Sequence, residues 1–231
     1  MNNVKKSIGW SDYTWNPITG CMEGCDYCYA KKIYKRFHKS FQPTFHTERM
    51  KEIDKMNKPA KIFLGSVTDM FGTTGNLQLL SDKNDILDKI REYKYAHLTF
   101  QLLTKHPENI VFGDAPLPAN IWVGTTVTQA REWYRIKHLK EAFYGGLKFV
   151  SFEPVLDDVA DEGEGGLDLE GIKWAIIGIL TGKKLESFDI EWIDSLVRNC
   201  DKYSIPIYMK NSLKNYYPKL RQEFPINPPK D

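Results

Sequence analysis

The sequence has few cysteines, no long apolar run and almost no excess of either charge. Only 4 of its 231 residues are cysteine, so the chain lacks the cysteine density of a small disulfide-stabilised secreted domain. No apolar run approaches the roughly 18 residues of a membrane-spanning helix, and residues 1–7 are polar, which predicts a cytoplasmic protein with no membrane partner. The net charge of +2 is too small to indicate a nucleic-acid-binding protein from composition alone.

The composition is that of a globular protein. Hydrophobic residues make up 42% of the chain and charged residues 27%, a balance that allows a sizeable core. The length falls within the range of one domain. We therefore predict a single domain over residues 1–231, with residues 224–231, which include three prolines, as a surface tail.

Short apolar runs alternate with helical patterns along the chain. Seven strands are predicted, at residues 14–18, 61–67, 97–103, 120–127, 147–152, 172–179 and 205–209. The clearest helical patterns cover residues 76–93, 129–143 and 189–203. This order predicts an α/β fold with a parallel sheet covered on both faces. Because seven strands fall short of a closed eightfold barrel, we predict an open, partial parallel α/β barrel of six to seven strands, with a flat doubly wound sheet as the alternative.

Three of the four cysteines lie close together. Cys21, Cys25 and Cys28 have C-x3-C-x2-C spacing, directly before a helix predicted to begin near Tyr29. Three thiolates can bind three corners of a cubane 4Fe-4S cluster, which leaves one iron open to a further ligand. The alternatives are a structural zinc site completed by a fourth residue, and three unrelated buried cysteines. The candidates for that fourth zinc ligand are Cys200 and His38.

The cysteine motif, with the aromatic Tyr27 before its third cysteine, resembles the signature of the radical SAM superfamily. The chain is also similar, more narrowly, to a phage- and prophage-associated group of radical-SAM-like proteins. The segments that carry this second resemblance are Trp10–Pro17, Ser66–Phe71, Leu103–Pro107 and Ser151–Pro154. Together the two resemblances cover roughly residues 8 to 212.

The resemblance implies a 4Fe-4S cluster on Cys21, Cys25 and Cys28 and S-adenosylmethionine (SAM) on the open iron. In that superfamily the reduced cluster cleaves SAM to methionine and a 5′-deoxyadenosyl radical, which abstracts a hydrogen atom from the substrate. It also implies an electron donor of the flavodoxin or ferredoxin type. An iron-sulfur or zinc binding module that lacks radical chemistry and acts with a partner protein is the alternative.

The resemblance also implies contacts with SAM. Tyr27 is placed beside the adenine, and the second strand ends where the superfamily often has a Gly-Gly-Glu motif that binds the amino group of SAM. Ser66, Thr68 and Asp69 occupy that place here, although the motif is not matched literally. For Asp69, an aspartate that only forms a turn is the alternative.

Polar residues also follow the later strands, whose carboxyl ends should meet at the barrel mouth. Thr126 and Glu153 are predicted contacts for the ribose or the substrate. Lys105 and Lys210 are predicted to meet anionic groups of the substrate. Solvated loop positions or a helix cap are the alternatives for Thr126 and the two lysines.

The substrate is indicated by one feature only. Residues 31–39 are rich in lysine and arginine with interleaved aromatic residues, so Lys35 and Arg36 are candidate contacts for the phosphates of a nucleic acid or nucleotide. The alternatives are an ordinary solvated helix face and a radical enzyme that modifies a peptide or small molecule.

Overall fold

The structure is a computed structural model that describes residues 1–73, 75–160, 166–181 and 188–226. The strands within these ranges are β1 (Asn2–Asn3), β2 (Tyr13–Trp15), β3 (Ile18–Thr19), β4 (Thr44–Phe45), β5 (Ala60–Leu64), β6 (Leu98–Thr104), β7 (Leu117–Thr126), β8 (Gly145–Phe152), β9 (Trp174–Ile177) and β10 (Ile207–Met209). The α-helices are α1 (Tyr29–Arg36), α2 (Leu77–Ile90), α3 (Tyr134–Glu141) and α4 (Ile190–Lys202).

One large sheet organises the fold, with strand order β1-β2-β5-β6-β7-β8-β9-β10. Neighbouring strands from β2 to β10 pair in parallel, and only β1 is antiparallel to its neighbour. The sheet curls into a half-barrel. The predicted partial parallel α/β barrel is therefore confirmed, and the flat alternative is not what forms. Since the strands run in one direction, their carboxyl ends meet at one rim, which we call the mouth.

Helix boundaries follow side-chain caps. Asn76 accepts a hydrogen bond from the Leu79 N–H (2.8 Å) before α2, and Asp189 accepts one from the Glu191 N–H (3.0 Å) before α4. Such caps satisfy N–H groups that have no partner within the helix. The buried apolar side chains of α2 recur at helical spacing, so one face of the helix packs on the sheet.

The two faces of the sheet bury different cores. The outer face packs against the helices through aliphatic side chains such as Ile62 and Val123. The inner face carries an aromatic cluster that fills the barrel at its amino end. The residues of this cluster are Trp10, Phe63, Trp122, Leu147, Phe149, Trp174, Ile176 and Tyr208. Side chains on the inner face therefore reach the mouth only where they lie past this aromatic cluster, at the carboxyl ends of the strands.

All seven predicted strands form, with boundaries that differ by a few residues. The predictions missed β1 and the two-stranded sheet of β3 and β4, because two-residue strands leave no periodic pattern. None of the helices in the described ranges is long and apolar enough to cross a membrane.

The chain just before the predicted surface tail pairs with the edge of the sheet, and the first residue of the tail packs on the sheet. Gln222 pairs antiparallel with Tyr208 on β10, and Phe224 stacks on Trp174 with ring centroids 5.6 Å apart. Ile226 is 92% exposed, and residues 227–231 lie outside the described ranges. The single-domain prediction stays a prediction.

Candidate functional site

The cysteine loop leaves the end of β3 through a glycine that no other residue can replace without strain. Gly20 has φ +88°, and a Cβ there would lie 2.3 Å from the Gln42 carbonyl oxygen. This close approach lets the Cys21 N–H donate to the Phe41 carbonyl at 3.1 Å. The pairing of β3 with β4 brings together the two ends of residues 20–43. This segment contains the cysteine loop and α1.

The three loop thiols are partly exposed. The Cys28 thiol caps α1 by accepting the Lys31 N–H at 3.3 Å. Burial raises the pKa of Cys21 and of Cys25, and for Cys25 the nearby Lys105 ammonium opposes that rise. Three accessible thiols on one eight-residue loop, beside a cation, form a donor set that fits a 4Fe-4S cluster.

No three His, Cys, Asp or Glu side chains in the described ranges converge on a position for one metal ion. A cubane does not require such convergence, because each cysteine binds a different iron. Cys200, the proposed fourth zinc ligand, is buried on α4 within the outer core, and burial raises its pKa to about 12. The other proposed ligand, His38, is exposed just beyond α1.

Asp69 lies behind the cysteine loop and is 9% exposed. Its carboxylate accepts four hydrogen bonds, from the Phe71 and Gly72 N–H groups (both 3.0 Å), the Thr104 hydroxyl (2.6 Å) and the Lys105 N–H (2.8 Å). These bonds join the loop after β5 to the end of β6. The geometry corresponds to a positioning residue, and the predicted contact of Asp69 with SAM stays a prediction.

Glu23, between the first two cysteines, ties the loop to two other elements. Its carboxylate accepts the Thr73 N–H (2.9 Å) and lies 2.5 Å from Nε2 of His106, which follows β6. Burial alone would raise the pKa of Glu23, but these two contacts outweigh it, so the pKa is lowered. For His106, burial is likewise outweighed by Glu23 and Glu108, and the pKa is raised.

The inner rim of the mouth carries a second polar group. Lys210, after β10, forms an ion pair with Glu153, after β8, at 2.6 Å. Gly178, after β9, permits this approach, because a Cβ there would lie 3.2 Å from the Lys210 side chain and 3.3 Å from that of Glu153. Across the mouth, Ser66 exchanges hydrogen bonds with Asn16.

A cavity of about 510 Å³ opens between the cysteine loop and the ends of β6 to β9. Its lining comprises Glu23, Gly24, Cys25, Asp26, Tyr27, Lys32, Lys105, His106, Thr128, Gln129, Arg131, Glu132, Arg135, Leu156 and Leu180. The Lys105 Nζ lies 5.4 Å from the centroid of the Tyr27 ring. Burial would lower the pKa of Lys105, but Tyr27, Cys25 and Asp69 outweigh it, so the pKa is raised and the cavity holds a positive charge.

A family model described as "Protein of unknown function (DUF5131)" matches residues 5–220. The chain belongs to the DUF5131 family. A search of curated protein sequences found no match.

Solved structures resemble this DUF5131 chain in fold. A double mutant of spore photoproduct lyase with bound AdoMet and dinucleoside spore photoproduct matches with TM-score 0.60 and 14% identity. A single mutant with the dinucleoside spore photoproduct matches with TM-score 0.58 at 13% identity, and a further complex of the lyase with the dinucleoside matches with TM-score 0.57 at 12% identity. Each match covers 90% of this chain and 78% of the other. At this identity the likeness shows the fold, the partial barrel of the radical SAM enzymes.

The DUF5131 structure brings some predicted site residues together and separates others. Cys25, Tyr27 and Lys105 line the cavity, while Glu153 and Lys210 pair at the inner rim. The other two cysteines, Cys21 and Cys28, do not line the cavity. Four further predicted residues lie near the mouth without lining the cavity, and two on α1 are exposed outside it. The four near the mouth are Ser66, Thr68, Asp69 and Thr126, and the two on α1 are Lys35 and Arg36.

Sequence reasoning missed the cavity wall after β7. Thr128, Arg131 and Arg135 line it, and Arg135 is held by an ion pair with Glu132 at 2.9 Å and a bond to the Thr126 carbonyl at 3.0 Å. The sequence pattern predicts a continuous helix over 129–143, whereas the chain forms a 3-10 turn at Ala130–Glu132 before α3. The signal in the sequence that could have identified these three residues was their position shortly after the end of a predicted strand.

His106→Ala in this DUF5131 protein is expected to lower stability by about 1 kcal/mol near pH 5.5 and by less near pH 8. The raised pKa of His106 means that its contribution is complete below about 6.5, the ordinary histidine pKa, and is lost as pH rises through the folded-state value. The lowered pKa of Glu23 means that its contribution is lost only in acid, as pH falls below about 4. Urea unfolding of both proteins across this range measures the difference, and a constant difference would contradict the ion pair.

Proposed function

We propose that this protein is a radical SAM enzyme with its cofactors at the barrel mouth. The observation that supports this best is the position of the C-x3-C-x2-C loop, which lies at the carboxyl rim of a radical SAM-type barrel and opens onto a cavity beside Cys25. Functional groups in α/β barrels gather at this rim. The spacing of the thiols and the fold thus favour the same chemistry.

Cys21, Cys25 and Cys28 would each bind one iron of a 4Fe-4S cluster, and SAM would occupy the adjoining cavity. When bound, these groups supply a one-electron reductive cleavage of SAM, with the electron from a flavodoxin or ferredoxin type donor, and hydrogen abstraction from the substrate. Tyr27 offers an aromatic wall for the adenine, and Lys105 offers a cation for an anionic group. The aliphatic residues Leu156 and Leu180 add apolar surface to the same cavity.

The inner rim would hold the substrate. Glu153 and Lys210 form an ion pair whose side chains remain 29% and 22% exposed, so both can also contact a polar ligand. We propose a nucleic acid or nucleotide as the substrate. The basic segment after Cys28 supports this, as does the fold likeness to a lyase solved with a dinucleoside. A cytoplasmic location and an association with phages, as the sequence resemblance implies, are part of the same proposal.

Anaerobic reconstitution with iron and sulfide is expected to yield about one 4Fe-4S cluster per chain. The reduced protein should then convert SAM to 5′-deoxyadenosine, measured by chromatography after addition of dithionite. A matched sample without reductant is the control, because cleavage requires the electron. Stoichiometric zinc without iron uptake, or a cluster that never cleaves SAM, would refute the enzyme and leave a metal-binding module.

A further inference from the structure

Helix α1 concentrates positive charge beside the cavity. Residues 27–47 contain five of the 32 basic residues and none of the 30 acidic ones, so the rest of the chain carries a net charge of −3. The small net charge of the whole chain therefore conceals a strongly cationic segment. Four of the five cations, Lys31, Lys32, Lys35 and Arg36, lie on α1, and Lys39 lies three residues beyond its end; all five are exposed.

One apolar face of α1, extended by its C-cap residue Phe37, is uncovered. Tyr29, Ile33 and Phe37, four residues apart, share one face and are 54%, 47% and 63% exposed. In α1 only Ala30 is buried. An ordinary surface helix packs its apolar face on the core and exposes its charges, whereas α1 exposes both. Packing within this chain therefore does not account for the apolar face, which points to a partner.

The position of α1 connects this surface to the cavity. Cys28 is the N-cap of the helix, the Tyr29 hydroxyl donates to the Ser66 carbonyl at 2.5 Å, and Lys32 lines the cavity itself. A flexible anionic chain lying along α1 would reach the cavity mouth within one or two turns of helix, since Tyr29 and Phe37 are about 12 Å apart along the axis.

We propose that α1 is a binding track for single-stranded nucleic acid, which presents one nucleotide to the cavity. Lys35, Arg36 and Lys39 would contact phosphates, and Phe37 would stack against a base. A single strand is favoured because its bases can stack on Phe37 and enter the cavity without the unpairing and unstacking energy that a duplex requires. This proposal deepens the function above, on which it rests for the reaction but not for the binding.

A membrane surface fits the same helix less well. Interfacial binding scales with the apolar area that a helix can insert, and α1 has only eight residues. The hydroxyl of Tyr29 is held against the mouth, which leaves Ile33 and Phe37 as the side chains free to insert. The combination of clustered cations with an exposed aromatic side chain beside a cavity is instead typical of single-strand binding.

The test is fluorescence anisotropy of a labelled single-stranded oligodeoxynucleotide with the reconstituted protein, at roughly 50 and 200 mM salt. The triple variant K35A/R36A/K39A should bind more weakly, and the slope of log affinity against log salt should fall by about 2, or about 0.7 for each lost phosphate contact. The control K55A/K58A/K173A removes three exposed lysines that are distant from α1 in sequence, with the same change in net charge, and should retain the wild-type slope.

The aromatic contact has its own readout. Phe37→Ala should reduce affinity roughly 5- to 100-fold with the salt slope unchanged, and Phe37→Trp should retain binding. Equal losses in the α1 variant and the lysine control would overturn the proposal, as would absence of oligonucleotide binding by the wild type. Binding of α1 to anionic phosphatidylserine vesicles, but not to the oligonucleotide, would assign the helix to a membrane instead.

The two proposals can fail separately. Oligonucleotide binding that depends on α1, in a protein that never cleaves SAM, would refute the radical enzyme and keep the track. SAM cleavage in a protein without such binding would refute the track and keep the enzyme. The triple variant should retain its iron, because the three altered side chains lie on the exposed surface beyond the cysteine loop.

Discussion

Cys25→Ala is expected to abolish the iron-sulfur cluster and all reductive cleavage of SAM while leaving the fold intact. In the proposed site three thiols bind three irons, so the loss of one would leave a cluster with two protein ligands. Cys25 is only partly buried on a loop, so truncation of its side chain should cost about 1 kcal/mol or less in stability. Iron content, visible absorption and 5′-deoxyadenosine yield measure the loss, and far-ultraviolet circular dichroism verifies the fold.

Cys200→Ser is the matched control for that variant. The Cys200 side chain is fully buried on α4 among apolar residues, so the change should lower stability by about 1–3 kcal/mol and leave the iron content unchanged. If Cys200→Ser removed the iron, or if Cys25→Ala kept it, the three-cysteine site would be refuted. Each variant therefore tests a different part of the same assignment.

The barrel could be predicted because its strands have a recognisable pattern in the sequence. Strands buried on both faces read as short continuous apolar runs, as at Ile62–Leu64 or Trp174–Ile177, and helical patterns separate several of them. The cysteine motif could be recognised in the same way, since its three thiols lie within eight residues. Local patterns of this kind do not depend on tertiary contacts.

The hydrogen bonds that position the residues around the cavity could not be predicted from local patterns. The Asp69 carboxylate reaches Thr104 and Lys105, about 35 residues away in sequence, and nothing near Asp69 indicates those partners. Glu23 similarly meets His106 across 83 residues. Strand ends show which residues approach the mouth, but the choice between cofactor contact and mutual hydrogen bonding depends on distances that only the folded chain provides.

Helix α1 shows a further limit of the sequence pattern. Lys32, Lys35, Arg36 and Lys39 at helical spacing are equally typical of a solvated face and of a phosphate track. The structure adds the exposure of Ile33 on α1 and of Phe37 at its C-cap, which a solvated face does not explain. The prediction of Lys35 and Arg36 as substrate contacts thereby acquires a physical argument that composition lacked.

Asp69→Ala is expected to lower the free energy of unfolding by about 3–5 kcal/mol, the second large effect. Removal of the carboxylate leaves the Phe71 and Lys105 N–H groups and the Thr104 hydroxyl without an acceptor, and the Gly72 N–H keeps only a longer bond (3.4 Å) to the backbone carbonyl of residue 69. Each unsatisfied buried donor costs about 1–3 kcal/mol before relaxation and water entry reduce the sum. Urea unfolding of the reconstituted protein measures the change. Asp82→Ala is the control, because Asp82 is also buried, at 8% exposure, but among the residues that the structure describes it accepts a side-chain hydrogen bond from Gln78 alone.

The Asp82→Ala change should lower the free energy of unfolding by about 1 kcal/mol. The difference between the two variants in this free energy therefore tests the four-bond geometry rather than burial. The SAM affinity of the Asp69→Ala protein, measured by equilibrium dialysis under conditions where it remains folded, separates the two roles considered for this residue. A large loss of stability that exceeds the control supports a positioning role. Unchanged stability with a weakened SAM affinity would instead support direct contact between Asp69 and the cofactor, as the sequence resemblance implied, and would show that the hydrogen bonds around its carboxylate are dispensable.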